Sequence, residues 1–106
     1  MPIQRTSSAQ LFAALGDETR LGLIARLCAK GPLSITELTA GSRVTRQGIT
    51  KHLYVMERSG LAHCVRRGRQ SVWEVDRRRV EEAKRHLEQI SMQWDKTLAR
   101  LQAFVE

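Results

Sequence analysis

The sequence predicts a mainly α-helical chain with one small β-hairpin, closing on a long helix. Three observations carry that expectation. Before Gly60, apolar residues recur at steps of three and four in a series of short segments. Between Leu61 and Val75 the pattern becomes two short runs of β-formers divided by polar residues and a glycine. From about Arg77 to Val105 the helical period returns and runs unbroken. With 106 residues, 42% of them hydrophobic, the chain suits one domain with one modest core.

The elements follow in order. Leu11, Phe12 and Leu15 share one side of a short amphipathic helix over Ser8 to Leu15, which Gly16 ends. Asp17 is placed to cap the next helix, in which Leu21, Ile24, Leu27 and Cys28 recur at helical spacing until Gly31-Pro32 stops it. Ser34-Ile35-Thr36-Glu37 matches a capping box, and Gly41-Ser42 breaks the helix it starts within about two turns. Thr45 can cap a further helix that runs to about Ser59, with Gly60 closing it. A short helix, a tight turn with glycine and a longer helix form a helix-turn-helix. Leu61–Val65 and Ser71–Val75 then read as a hairpin, with Arg66-Arg67-Gly68-Arg69-Gln70 as its turn. In the last helix, Val80, Ala83, Leu87, Ile90, Trp94, Leu98, Leu101 and Val105 recur at steps of three or four. At ~1.5 Å per residue this helix outruns a compact domain of this size, so its stripe calls for a second copy of the chain. The expected architecture is a single winged helix-turn-helix domain over 1–106. Residues 1–16 and 77–105 supply dimerisation helices, 33–59 the helix-turn-helix and 61–75 the wing.

Charge points to the partner. The net charge is +7, and residues 41–79 hold ten Lys/Arg against three Asp/Glu, while the rest of the chain holds eight of each. Such segregation suits a polyanion. On the helix starting near Thr45, Ile49, Leu53 and Met56 form an inner stripe. Gln47, Thr50, Lys51, Tyr54 and Arg58 form an outer face without an acid, with Arg46 and Glu57 at its edge. Gln suits adenine, Arg and Lys suit guanine, and Thr suits a base or a phosphate. Thr45, Arg46, Gln47, Thr50, Lys51 and Tyr54 are therefore expected at double-stranded DNA, with this helix in the major groove. Arg66, Arg67 and Arg69 of the wing are expected at phosphates or a narrow minor groove. Gly48 is costly inside a helix, which a close approach to the backbone of another helix or to DNA would account for. His52 lies beside the apolar stripe and reads as a packing or capping histidine. Trp73 reads as core.

These motifs together resemble the ArsR/SmtB family of bacterial repressors. Leu11-Phe12-Ala13-Ala14-Leu15-Gly16-Asp17-Glu18-Thr19-Arg20-Leu21 is similar to the family's opening signature. Val44-Thr45-Arg46-Gln47-Gly48-Ile49-Thr50-Lys51-His52-Leu53 with Glu57-Arg58-Ser59-Gly60-Leu61 resembles its recognition helix, and Arg66-Arg67-Gly68-Arg69 with Val72-Trp73-Glu74-Val75 its wing. The resemblance implies a homodimeric repressor on an inverted-repeat operator. It places dimer contacts at Leu11, Phe12, Leu15, Leu87, Ile90, Trp94, Leu98 and Leu101. The chain departs from metal-sensing members: Thr36-Glu37-Leu38-Thr39-Ala40-Gly41 has no cysteine, and Glu82 with His86 on the last helix is a thin donor set. The expectation is a subgroup without metal sensing and no cofactor. Cys28 is expected as an inert core thiol and Cys64, at the wing base, as reachable.

Other classes fit less well. His52, His63 and His86 fall on separate elements with no nucleophile constellation, so the expectation is no enzyme. Neither a signal peptide nor a membrane span is legible, which implies a cytoplasmic protein. The alternative is a winged-helix interaction module that binds RNA or an acidic protein. Single-stranded RNA readers usually display stacking aromatics, and here only Tyr54 is well placed.

Overall fold

The structure, a computed structural model, describes residues 8–105. The part of the N-terminal dimerisation segment assigned to residues 1–7 lies outside the described residues. The elements are α1 (Ser8–Leu15), α2 (Glu18–Lys30), α3 (Ile35–Thr39), α4 (Arg46–Arg58), β1 (Ala62–Arg67), β2 (Gln70–Val75) and α5 (Arg77–Val105).

Helix ends sit where capping chemistry puts them. The Asp17 carboxylate accepts from the Arg20 backbone N–H at 3.0 Å, starting α2. Ser34 Oγ accepts from the Glu37 N–H while the Glu37 carboxylate accepts from the Ser34 N–H, closing the capping box that starts α3. Thr45 Oγ1 accepts from the Gly48 N–H at 3.1 Å and starts α4. Gly31 ends α2 with φ of 82°, a conformation that costs side-chain-bearing residues free energy.

One core lies beneath these helices. Leu11, Leu38, Ile49, Leu53, Met56 and Leu61 are its most deeply buried large side chains, joined by Leu23, Ile24, Leu27 and Trp73. The α2 stripe differs from the expected one. Leu23, Ile24 and Leu27 are buried, whereas Leu21 and Cys28 face solvent. Cys28 is thus not a core thiol: it lies about 100° round the helix from Leu27, past the edge of the buried stripe.

The wing also differs in its turn. β1 and β2 pair antiparallel from Ala62↔Val75 to Arg67↔Gln70. Arg66, Arg67 and Gln70 are therefore strand residues, and only Gly68-Arg69 form the connection. Gly68 has φ of 63° and no other residue of the turn has positive φ, the pattern of a two-residue type II′ hairpin. Exposed arginines on a two-stranded ribbon look like turn residues to a composition rule, and strand pairing overrides it. A one-residue third strand completes the sheet: Leu33 exchanges backbone hydrogen bonds with Trp73 at 3.1 and 2.8 Å, tying the start of the helix-turn-helix to the wing.

α5 leaves the body of the domain. Val80 packs against the core and Ala83 is buried, but Leu87, Ile90, Trp94, Leu98, Leu101 and Phe104 are exposed. The longest dimension is 64 Å and the radius of gyration 17.5 Å, against about 13 Å for a compact domain of this length.

Candidate nucleic-acid interface

α4 buries Ile49, Leu53 and Met56 and turns its other face outward. On that face Arg46, Gln47, Lys51, Tyr54 and Arg58 are exposed and Thr50 is half-buried. Several of these groups already have intramolecular work. Thr45 spends its hydroxyl oxygen on the cap, and Thr50 Oγ1 donates to the Arg46 carbonyl at 2.8 Å. Arg46 Nη1 donates to Thr36 Oγ1 of α3 at 3.1 Å, spanning the turn. The Tyr54 ring meets Trp73 edge-on at 6.4 Å between centroids, which couples α4 to the wing. Gln47 and Lys51 are the freest to reach outward.

The close approach implied by Gly48 comes from inside the chain. A Cβ there would meet Val44 Cγ1 at 2.7 Å and Thr45 Oγ1 at 3.4 Å. Glycine lets Val44 fold over the helix start and join the core.

The wing arginines separate by face. Side chains alternate along a strand, so Arg66 and Arg67 point to opposite sides. Arg67 forms an ion pair with Glu74 at 3.6 Å, and the same Glu74 meets His63 Nε2 at 2.8 Å. Arg69 sits in the turn, and Arg66, three positions before it, lies opposite Ser71 and donates Nε–H to the Gly68 carbonyl at 3.4 Å.

Three other arginines, absent from the sequence-derived set, hold α4 and α3 in place. Arg20 of α2 donates Nε–H to the Ala14 carbonyl at 2.6 Å, Nη2–H to the Ala13 carbonyl at 3.4 Å, and lies with Nη1 3.1 Å from His52 Nδ1 on α4. His52 is thus a tether between α4 and α2. Arg26 donates to the Leu38 and Glu37 carbonyls at 2.8 and 2.9 Å and satisfies the end of α3. Arg79 of α5 donates Nε–H to the Ser59 carbonyl at the end of α4 and pairs with Glu82 at 2.6 Å. Apart from Glu82, three residues from Arg79, the partners are 6 to 32 residues away, and no local pattern names them.

Two carboxylates titrate low. The Asp17 carboxyl is held below its ordinary value first by the Arg20 backbone N–H, with the charges of Arg20 and His52 adding and burial opposing. The Glu37 carboxyl is held down by the Ser34 backbone N–H and then by the Ser34 hydroxyl.

Among the described residues no group of three or more His, Cys, Asp or Glu gathers. Glu82 is engaged with Arg79, and His86 packs against the Phe12 ring at 5.4 Å. Phe12 and Leu15 remain partly buried beside α5, whereas Leu11, only 2% exposed, belongs to its own core and offers a partner no surface. No helix of the described residues is long and apolar enough to cross a membrane.

This geometry, a capped helix presenting polar and basic groups beside a basic hairpin, is that of a winged helix-turn-helix protein. A helix-turn-helix domain family model matches residues 15–65. An uncharacterised helix-turn-helix-type transcriptional regulator of Bacillus subtilis (strain 168), YuzN, is 38% identical over 68 residues, covering 58% of this chain and 74% of that protein. The arsenical resistance operon repressor of Escherichia coli (strain K12) is 38% identical over 52 residues, 49% of this chain and 44% of the repressor. Among solved structures, an ArsR-like transcriptional regulator from Rhodococcus sp. RHA1 superposes with a TM-score of 0.78 at 33% identity, covering 93% of this chain and 92% of that one. The chain belongs to the ArsR family of transcriptional regulators.

Proposed function

We propose that two copies of this chain bind one DNA duplex as a transcriptional repressor. Each copy lays the first turns of α4 in the major groove and its wing along the neighbouring backbone. The observation that carries this reading is the acid-free exposed face of α4, set beside a hairpin rich in arginine. Arg46, Gln47, Thr50 and Lys51 are the base-reading candidates, with Thr45 and Tyr54 beside them as cap and strut. Arg66, Arg67 and Arg69 supply phosphate contacts, with Arg67 weakened in that role by Glu74. The exposed apolar row from Leu87 to Leu101, flanked by Phe12 and Leu15, supports dimerisation, because an apolar face of that length is costly in water. Two recognition helices then sit about 34 Å apart and call for an inverted repeat. Repression follows if the bound dimer occupies promoter DNA.

The test is fluorescence anisotropy with the duplex upstream of the chain's own gene, measured across a salt series and beside analytical ultracentrifugation. Steeply salt-dependent binding by a dimer supports the reading. Salt-independent binding, or a monomer bound to DNA, overturns it.

A further inference from the structure

Arg46 differs from the other long side chains at the start of α4 in one respect: its head group is held by another helix. Its Nη1–H donates to Thr36 Oγ1 of α3 at 3.1 Å across the turn. Gln47 and Lys51 are exposed without such a bond among the described residues. The Thr36 oxygen is itself fixed in place. Thr36 is the second residue of α3, whose start is closed by the Ser34–Glu37 capping box and whose last carbonyls are held by Arg26 at 2.8 and 2.9 Å. A threonine on a helix also has few rotamers open to it.

A guanidinium recognises guanine with two parallel N–H groups aimed at O6 and N7, so the plane of the head group decides whether both bonds form. Thr36 takes one of the five N–H groups and leaves the parallel pair Nε–H and Nη2–H to face outward contacts. An unrestrained arginine loses its rotamer freedom on binding, whereas one already pinned loses less, and only in the pinned orientation. We propose that Thr36 is a specificity-determining positioning residue: it orients Arg46 so that this N–H pair reads one guanine in each half of the operator. The inference rests on the proposed placement of α4 in the major groove. Thr36 needs no contact of its own with DNA. An Arg46 turned to a phosphate would carry no sequence preference, and the experiment separates the two.

The experiment is a selection from randomised duplexes, followed by anisotropy on the selected duplex and its single-base variants across a salt series. Arg46→Ala should erase a preference for guanine at one position per half-site, at least about tenfold in Kd ratio. Thr36→Val keeps the shape and removes the acceptor. It should lower that same preference about fivefold, with the position read by Gln47 and the salt slope unchanged. Thr36→Ser keeps the acceptor and should retain the preference within about twofold. In the Arg46→Ala background, Thr36→Val should change nothing further beyond about twofold, since the two residues act as one unit. No loss of the guanine preference in Thr36→Val, equal loss in Thr36→Ser, a salt slope lower by about 1, or additive effects of the two substitutions overturns the proposal. If Arg46→Ala shifts a preference and Thr36→Val does not, the inference falls and the reading of α4 stands. If Arg46→Ala and Gln47→Ala both leave every preference unchanged, the reading of α4 falls and takes the inference with it.

Discussion

At the scale of single residues, the helix starts of this chain rest on oxygen acceptors and on one missing side chain. Gly48→Ala sets helix propensity, a gain of about 1 kcal/mol, against a methyl group 2.7 Å from a stiff, partly buried Val44. Overpacking usually costs about 1–3 kcal/mol, so the variant should lose roughly 1 kcal/mol net in urea unfolding. The caps set the acid limb of stability. Asp17 and Glu37 have carboxyls whose folded pKa values lie below their ordinary 3.8 and 4.5. Their contribution is complete above those ordinary values and fades as pH falls through the lower folded ones. Thermal melts should therefore hold steady down to about pH 4.5 and then fall, and Asp17→Asn with Glu37→Gln should flatten that fall. Residue-scale legibility was uneven. Asp17, Ser34 and Thr45 were readable as caps because capping is local in sequence. The Arg20–His52 tether was not, because its partners are 32 residues apart.

At the scale of elements, helix limits emerged cleanly and strand limits did not. Caps and glycines punctuate α1 to α4 chemically, whereas β1 extends through Arg66-Arg67 on pairing alone. The buried stripe of α2 was read one position out of phase, since Leu21, Leu23, Ile24, Leu27 and Cys28 offer two overlapping helical rows and only packing chooses between them. Element-scale predictions concern the wing and α5. Arg66→Ala with Arg69→Ala should weaken every duplex tested by a similar factor, roughly tenfold at physiological salt, and lower the salt slope by about 1 per lost phosphate contact. Gln47→Ala should instead shift sequence preference in a binding-selection assay with little change in that slope. Equal effects of the two variants on sequence preference would contradict this division of roles. On α5, Leu98→Glu with Leu101→Glu should give a monomer in ultracentrifugation, because two charges replace two members of the exposed apolar row.

At the scale of the whole molecule, α4, the helix proposed to read DNA, is gripped from two sides. Arg20 and His52 join it to α2 and the end of α1, and Arg79 joins its last turn to α5. Of the two grips, the one made by Arg79 comes from α5, the helix that bears the exposed apolar row. An Arg79→Ala variant should keep its dimer by ultracentrifugation but lose at least about threefold in operator affinity, since the Ser59 carbonyl loses its tether. Unchanged affinity would mean that α4 is positioned without α5. The charge segregation over residues 41–79 foretold this organisation in outline, since it marked α4 and the wing together. The mechanical connection could not be seen there, because it is made by the hydrogen bonds of partly buried guanidinium groups and not by net charge.

The bare outer half of α5 has one more consequence, which concerns dosage. A helix of this kind gains most of its stability from packing, and in the proposed dimer a second copy supplies it. Below the dimer dissociation constant, the dimer concentration, and with it the occupancy of an unsaturated operator, scales with the square of chain concentration. If the proposed dimer acts on its own promoter, halving the chain by cell growth cuts the dimer about fourfold, so release of the promoter outpaces the dilution itself.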